Sequence, residues 1–132
     1  MSLAVRAIVA ALRDGQTVRW VVRGGSMWPA IPDGSEVEVT PCAASDLRVG
    51  EVAAFCRGGA LVVHRVIARS GDGLRFRGDS LRRDDGLVPP GEVLGRAKVL
   101  RRARLRWTRP RRDKLLGAAR AALEWLRAHA QP

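Results

Sequence analysis

The feature that most constrains the fold is a series of short β-type segments across residues 17–100, separated by glycine, proline and aspartate turns. Six such runs are visible, at residues 17–23, 36–40, 51–56, 60–68, 74–77 and 92–100. No helical pattern lies between consecutive runs, which argues against a parallel βαβ sheet and its nucleotide-binding crevice. The spacing predicts a compact, mainly antiparallel β-domain, in the broad class of mainly β (α+β) folds.

Helical patterns occur only at the two ends of the chain. Ser2 precedes apolar residues at helical spacing, and Asp14-Gly15 ends that pattern, which predicts a capped N-terminal helix. After Pro110 an apolar stripe of helical period returns, carried by Leu115, Ala119, Ala122 and Leu126. We therefore expect a domain over residues 1–110, including the N-terminal helix, and a basic amphipathic C-terminal helix over residues 111–132.

The positive charge of the chain is concentrated in the C-terminal part. The net charge is +11, and the residues after position 100 contain 10 basic and 2 acidic side chains. Such a tail fits three interpretations: a solvated surface helix, peripheral contact with an anionic membrane, or nucleic-acid binding. The absence of tyrosine, of an aromatic stacking pattern and of a helix-turn-helix argues against nucleic acid.

Cysteine content and hydropathy argue against a metal-binding protein and against a membrane-spanning one. Cys42 and Cys56 are the only cysteines, and without a second pair they predict reduced thiols rather than a metal site, so we expect neither a metal nor a cofactor. No run approaches the roughly 18–20 apolar residues of a spanning helix, and no signal-peptide pattern is present. We expect a cytoplasmic protein, with peripheral contact at the inner membrane surface left open.

Three segments supply the side chains of an acyl-transfer site. Ser26 lies in the turn sequence Gly-Gly-Ser-Met-Trp-Pro, where it is available for chemistry rather than packing. His64 lies within the apolar run 61–67, and the turn-rich segment 78–86 contains Asp79 and Asp85. A serine hydroxyl needs a base to accept its proton, and a carboxylate holds that base in one tautomer. The six-residue separation of the two aspartates leaves open which one contacts the imidazole.

These segments, in this order, resemble the motifs of the signal-peptidase superfamily of serine proteases. Residues 25–29 resemble its nucleophile box, 46–55 the following strand pair, and 63–67 the general-base box. Residues 78–85 resemble the acidic box and 93–97 the closing strand. The base position holds histidine, as in the archaeal and endoplasmic-reticulum branch, whereas bacterial housekeeping signal peptidases and LexA-like repressors use lysine.

The resemblance implies a signal-peptidase/LexA-like β-fold and a serine endopeptidase that cleaves a peptide or protein precursor after small residues. It implies Ser26 as the nucleophile, His64 as the base, Asp85 as the orienting carboxylate and Asp79 as a supporting acid. Neighbours of the nucleophile are expected to bind substrate, namely Gly25, Met27 and Trp28. Gly24 stands where the family often has a serine that helps to bind the oxyanion. The alternative functions are a catalytically degenerate binding module and a nucleic-acid-binding protein that uses the basic tail; the oligomeric state is left open.

Overall fold

The computed structural model, which describes residues 1–104, begins with the expected N-terminal helix, α1 (Leu3–Arg13). The Oγ of Ser2 caps the helix by accepting a hydrogen bond from the Val5 amide at 3.2 Å. The helix ends at Asp14, and Gly15 follows with φ +85°, a left-handed conformation that favours glycine. The sequence therefore determined both ends of this helix through local signals.

Within the described residues, seven strands form a single sheet in which every neighbouring pair is antiparallel. They are β1 (Val18–Val21), β2 (Glu36–Pro41), β3 (Val52–Arg57), β4 (Ala60–Ser70), β5 (Gly73–Arg77), β6 (Leu87–Val88) and β7 (Val93–Arg101). Their order across the sheet is β1-β2-β7-β3-β4-β5-β6. The predicted mainly antiparallel β-domain is confirmed. The sequence missed β6, because two residues are too few to show a strand alternation.

Alternating burial along the strands explains why these segments pair. In β2, Val37 and Val39 are fully buried, whereas Glu38 between them is only partly covered. On one face of the sheet, Val9 and Leu12 of α1 pack with strand residues that include Val39. Each fully buried aliphatic side chain contributes roughly 1.5–3 kcal/mol through removal from water. Pairing the strands in this register therefore buries the apolar face of α1 and one side of β2 together.

The opposite face carries a larger cluster around two phenylalanines. Phe55 of β3 and Phe76 of β5 are fully buried, and their ring centroids lie 4.4 Å apart. Val66 and Val88, from β4 and β6, pack in the same cluster. This cluster fixes β3, β4, β5 and β6 against one another, and the candidate catalytic histidine lies at its edge.

The expected C-terminal helix over 111–132 and the domain boundary at residue 110 lie outside the described residues. The same holds for most of the basic tail on which membrane or nucleic-acid contact would depend. Among residues 1–104, no helix has both the length and the apolar character needed to cross a bilayer.

Candidate active site

Ser26 lies in the long connection between β1 and β2, in a segment shaped by local hydrogen bonds. Gly24 has φ +95°, and its amide donates to the Asp33 carboxylate at 2.8 Å. The Trp28 amide donates to the Gly25 carbonyl at 3.1 Å, which closes a turn around the serine. Ser26 itself is partly exposed. The turn therefore presents a hydroxyl at the surface of the domain on a constrained backbone.

Met27 anchors this turn in the core. Its side chain is only 4% exposed and packs with Ile31 and Val37, and the Ile31 amide donates to the Met27 carbonyl at 2.8 Å. Met27 is expected from the resemblance to bind substrate, but the structure buries it, because its apolar side chain next to Ser26 fills the sheet-facing side of the loop. Gly25 is exposed and Trp28 is half-buried, so both remain accessible to a ligand.

His64 joins Ser26 to a carboxylate. It lies on β4, its ring is buried with 7% exposed, and its edge faces Phe55 at a centroid distance of 6.3 Å. Nε2 lies 3.0 Å from Ser26 Oγ, and Nδ1 lies 2.6 Å from Asp85 Oδ2. With the proton on Nδ1, the ring donates to the carboxylate and accepts from the hydroxyl. The three side chains therefore form one hydrogen-bonded series.

Asp85 reaches the imidazole from the connection between β5 and β6, residues 78–86, called here the 78–86 loop. Its amide donates to the Phe76 carbonyl at 2.8 Å, so the residue is tied to the end of β5. Its carbonyl accepts from the guanidinium of Arg57 on β3. Both backbone groups are thus held by neighbouring strands while the carboxylate faces the ring.

Asp79, at the other end of the same loop, binds an arginine instead. Arg65 donates from Nε and Nη2 to the two carboxylate oxygens, at 2.8 and 2.7 Å, in a bidentate pair. This hydrogen bonding raises the pKa of Arg65 above its ordinary value. Arg65 also donates to the Gly50 carbonyl at 2.8 Å. The alternative that the sequence left open is thereby resolved, since the carboxylate on the imidazole belongs to Asp85.

The start of the 78–86 loop contacts the turn that carries Ser26. The Ser80 amide donates to the Ser26 carbonyl at 3.0 Å, and Ser80 Oγ donates to the Gly25 carbonyl at 2.6 Å. A Cβ added at Gly78 would lie 2.8 Å from the Ser26 carbonyl oxygen and 3.0 Å from His64 Nε2. Only glycine lets the loop approach this closely.

Sequence reasoning did not assign Gly78 or Ser80 a role at the site. The signal that could have identified Gly78 is its position, directly after β5 and directly before Asp79. A glycine at a strand end often marks close approach of two backbones. Ser80 gave no such signal, because a serine in a turn is ordinary until its partner is known.

The Ser26 amide is a candidate donor to a developing oxyanion. Within residues 1–104 it donates to no acceptor, unlike the amides of Gly24 and Trp28, each two residues away. A backbone N–H at the nucleophile is the usual first donor of an oxyanion hole. Since Gly24 carries no hydroxyl, a second donor from that position is absent from this chain.

The two cysteines lie away from this chemistry. Cys42 and Cys56 are unpaired and partly buried. Burial raises the pKa of the Cys42 thiol, which disfavours the reactive thiolate. Among residues 1–104, no three His, Cys, Asp or Glu side chains are arranged to hold a metal ion.

Comparison with known proteins gives no match for this sequence, either among protein families or among curated proteins. The function of the chain is therefore inferred from the geometry of its residues.

Proposed function

We propose that this chain is a serine endopeptidase in which Ser26 is the nucleophile, His64 the general base and Asp85 the residue that orients the base. The observation that carries the proposal is the pair of hydrogen bonds at the imidazole, 3.0 Å to Ser26 Oγ and 2.6 Å to Asp85 Oδ2. These residues come from three different segments of the chain. Their convergence on one ring is the arrangement that serine proteases use on unrelated folds.

In the first half-reaction, Ser26 Oγ attacks the carbonyl carbon of the scissile peptide bond while His64 Nε2 takes the hydroxyl proton. The tetrahedral intermediate collapses when the C–N bond breaks, and the imidazolium returns that proton to the leaving amine. An acyl ester on Ser26 remains. Asp85 stabilises the imidazolium, and the burial of the ring strengthens that interaction relative to water.

In the second half-reaction, a water molecule attacks the ester carbonyl and gives a proton to His64 Nε2. Collapse of the second intermediate breaks the bond to Ser26 Oγ, which recovers its proton from the imidazolium. The carboxylic acid product then leaves. In both steps the Ser26 amide donates to the negatively charged oxygen, a contact that is worth about 3 kcal/mol for a single donor in a studied protease.

The open edge of β4 next to His64 provides a place for an extended substrate. The Val66 amide donates to the Glu51 carbonyl at 2.8 Å, so the peptide groups of Val66 and His64 point towards β3. Those of Val63 and Leu61 point the other way, because successive residues alternate. The pairing with β5 starts only at Arg65. Within residues 1–104, no strand occupies this edge, so a peptide can pair with it in β-sheet geometry beside the nucleophile.

The substrate class follows from the resemblance stated for the sequence. Signal-peptidase-like enzymes cut precursors after small residues, and we assign the same preference to this chain. The substrate is a peptide or protein precursor that presents an extended segment with small side chains. The signal-peptidase/LexA-like type of fold belongs to the same proposal, and it is supported by the antiparallel sheet and by the order of the motifs.

A fluorophosphonate probe and peptides with Ala-x-Ala sites test the proposal. The wild-type protein should form a covalent adduct at Ser26 and cleave the peptides. Ser26→Ala and His64→Ala should reduce kcat by about 10⁶-fold, since either loss disables the proton transfer. Ser45→Ala, which removes an exposed serine without a hydrogen bond to Ser26, His64 or Asp85 in residues 1–104, is the matched control and should leave both readouts unchanged.

Circular dichroism establishes that each variant is folded. Undiminished cleavage by folded Ser26→Ala would overturn the assignment of the nucleophile. A wild-type protein that neither reacts with the probe nor cleaves any peptide of the series would leave the degenerate binding module as the better interpretation.

A further inference from the structure

Arg57 lies at the end of β3, and its side chain extends to the end of the 78–86 loop, which carries Asp85. Its two terminal nitrogens donate to two carbonyl oxygens, Nη1 to that of Asp85 and Nη2 to that of Leu87. The guanidinium is partly buried at this contact and touches neither Ser26 nor His64 through any hydrogen bond in residues 1–104. Its contacts are therefore with the backbone that presents the carboxylate.

The backbone of Asp85 is held from two sides. On one side its amide donates to the Phe76 carbonyl at 2.8 Å, and on the other its carbonyl accepts from Arg57. With both backbone groups fixed, the carboxylate can move only by rotating about its own side-chain bonds. On this backbone, Asp85 Oδ2 lies 2.6 Å from His64 Nδ1.

Gly86 makes the double contact geometrically accessible. It lies between the two acceptor residues and has φ +76°, a conformation that favours glycine. A Cβ at this position would lie 3.5 Å from Arg57 Nη1. The chain thus turns at Gly86 in a way that lets a single guanidinium reach the carbonyls on either side.

Glu92 provides a countercharge for the same arginine. Its Oε2 lies 3.9 Å from Arg57 Nε, and both side chains are more than a third exposed. An ion pair of this kind adds little to stability. It does leave Nη1 and Nη2 directed at the 78–86 loop and at Leu87.

We propose that Arg57 is a positioning residue that holds Asp85 in hydrogen-bonding distance of His64, and so fixes the tautomer of the base. The inference rests on the proposed function for its kinetic consequence, but the link between Arg57 and the His64–Asp85 hydrogen bond is independent of activity. Arginine suits this role because its planar fork presents two parallel N–H donors, whereas lysine offers a single charged point.

The kinetic test compares Arg57→Ala and Arg57→Lys with a matched control. Arg69 on β4 makes the same kind of contact elsewhere, donating from its two terminal nitrogens to the carbonyls of Leu47 and Ser45. Arg57→Ala should lower kcat by about 10²-fold with KM within about threefold of wild type, since a misplaced carboxylate impairs chemistry rather than binding. Arg69→Ala should leave kcat unchanged, and Arg57→Lys should fall between wild type and Arg57→Ala.

Guanidinium added to Arg57→Ala at a concentration that leaves the protein folded should recover part of the lost kcat, with no such gain for Arg57→Lys. The double variant Arg57→Ala, Asp85→Asn should be no slower than Asp85→Asn alone, because both changes remove the same interaction. Equal loss of kcat in Arg57→Ala and Arg69→Ala, or full additivity with Asp85→Asn, would overturn the proposal.

A measurement by NMR separates this proposal from the proposed function. The chain contains only two histidines, His64 and His129, so the ring protons can be assigned with a His129→Gln variant. Wild type and Arg69→Ala should show a low-field Nδ1 proton from His64, and both Arg57→Ala and Asp85→Asn should lack it. If that proton persists in Arg57→Ala, the positioning role fails. If the wild type shows the proton but hydrolyses nothing, the protease proposal fails while Arg57 keeps its role.

Discussion

The two ends of the 78–86 loop carry the same side chain in different settings. At one end, Asp79 is paired through both oxygens with Arg65, a side chain that keeps its charge at every accessible pH. At the other end, Asp85 is hydrogen-bonded to the imidazole of His64, the group proposed to accept the proton of Ser26. One carboxylate therefore closes a permanent ion pair, and the other faces a group that can change its charge during a reaction.

This difference shows that residue type does not assign a chemical role in this loop. Both aspartates are partly buried and both accept short hydrogen bonds, at 2.6–2.8 Å. The partner determines what each carboxylate can do. A carboxylate next to a permanent cation stabilises the structure, whereas a carboxylate next to an imidazole orients the ring and stabilises its protonated form. The comparison predicts that equivalent changes at the two ends have unequal effects on catalysis.

Asp85→Asn should have the largest effect at this loop. An amide keeps the size of the side chain but favours the wrong histidine tautomer, and the corresponding change in a studied serine protease lowers kcat about 10⁴-fold. Steady-state cleavage of an Ala-x-Ala peptide measures the loss, and thermal unfolding measures stability. A kcat within tenfold of wild type would show that the two ends do not differ in the proposed way.

Gly78→Ala tests the point where the loop approaches both Ser26 and His64. The new methyl group would lie 2.8 Å from the Ser26 carbonyl and 3.0 Å from His64 Nε2, so one of them must shift. We expect kcat to fall by about 10²-fold and the free energy of unfolding by about 1–3 kcal/mol. Gly71→Ala is the control, since nothing lies within 4 Å of its Cβ. Similar kcat values for the two variants would contradict the close approach.

Asp79→Asn should affect stability more than catalysis. The change weakens a bidentate pair with Arg65 and should lower the free energy of unfolding by about 1–2 kcal/mol, as measured in denaturant. The kcat should fall by less than about tenfold, through slight displacement of the loop. Asp72→Asn, on an exposed turn without a hydrogen-bond partner within residues 1–104, should change neither quantity. A loss of kcat as large as that of Asp85→Asn would place both carboxylates in the catalytic machinery.

Glu51→Gln should have the smallest effect and extends the comparison to a partly exposed carboxylate outside the loop. Two hydrogen bonds lower the pKa of Glu51 from its ordinary value of 4.5. The larger effect comes from the Arg96 side chain and the smaller from the Arg48 amide. The ionised group therefore stabilises the fold above pH 4.5 and loses that contribution as the pH falls through the lowered pKa. Denaturant unfolding of Glu51→Gln should show a shallower loss of stability on acidification, with kcat unchanged. Identical pH profiles for variant and wild type would contradict this.

The strands and the first helix could be predicted because their signals are local. Ser2 and Gly15 bound the helix through cap and turn geometry, and apolar alternation marks β2, with Val37 and Val39 buried. The two-residue β6 escaped prediction, since it exists only because β5 offers it a partner. Burial of Met27 was also missed, because a single apolar side chain in a turn carries no periodic signal of the face it will occupy.

For the candidate site, the chemical types can be read directly from the sequence: one hydroxyl in a glycine-rich turn, one imidazole in a strand and three carboxylates in a loop, two of them candidates for the site. The folded chain shows which carboxylate meets the imidazole, how closely Gly78 approaches Ser26 and His64, and that Arg57 donates to the backbone carbonyl of Asp85. The difference arises from the sequence separation over which the two kinds of interaction act. Caps, turns and alternation act over a few residues, whereas the side-chain contacts of His64 with Ser26 and Asp85, and of Arg65 with Asp79, join residues that are 14 or more positions apart. These contacts depend on the register in which the strands pair.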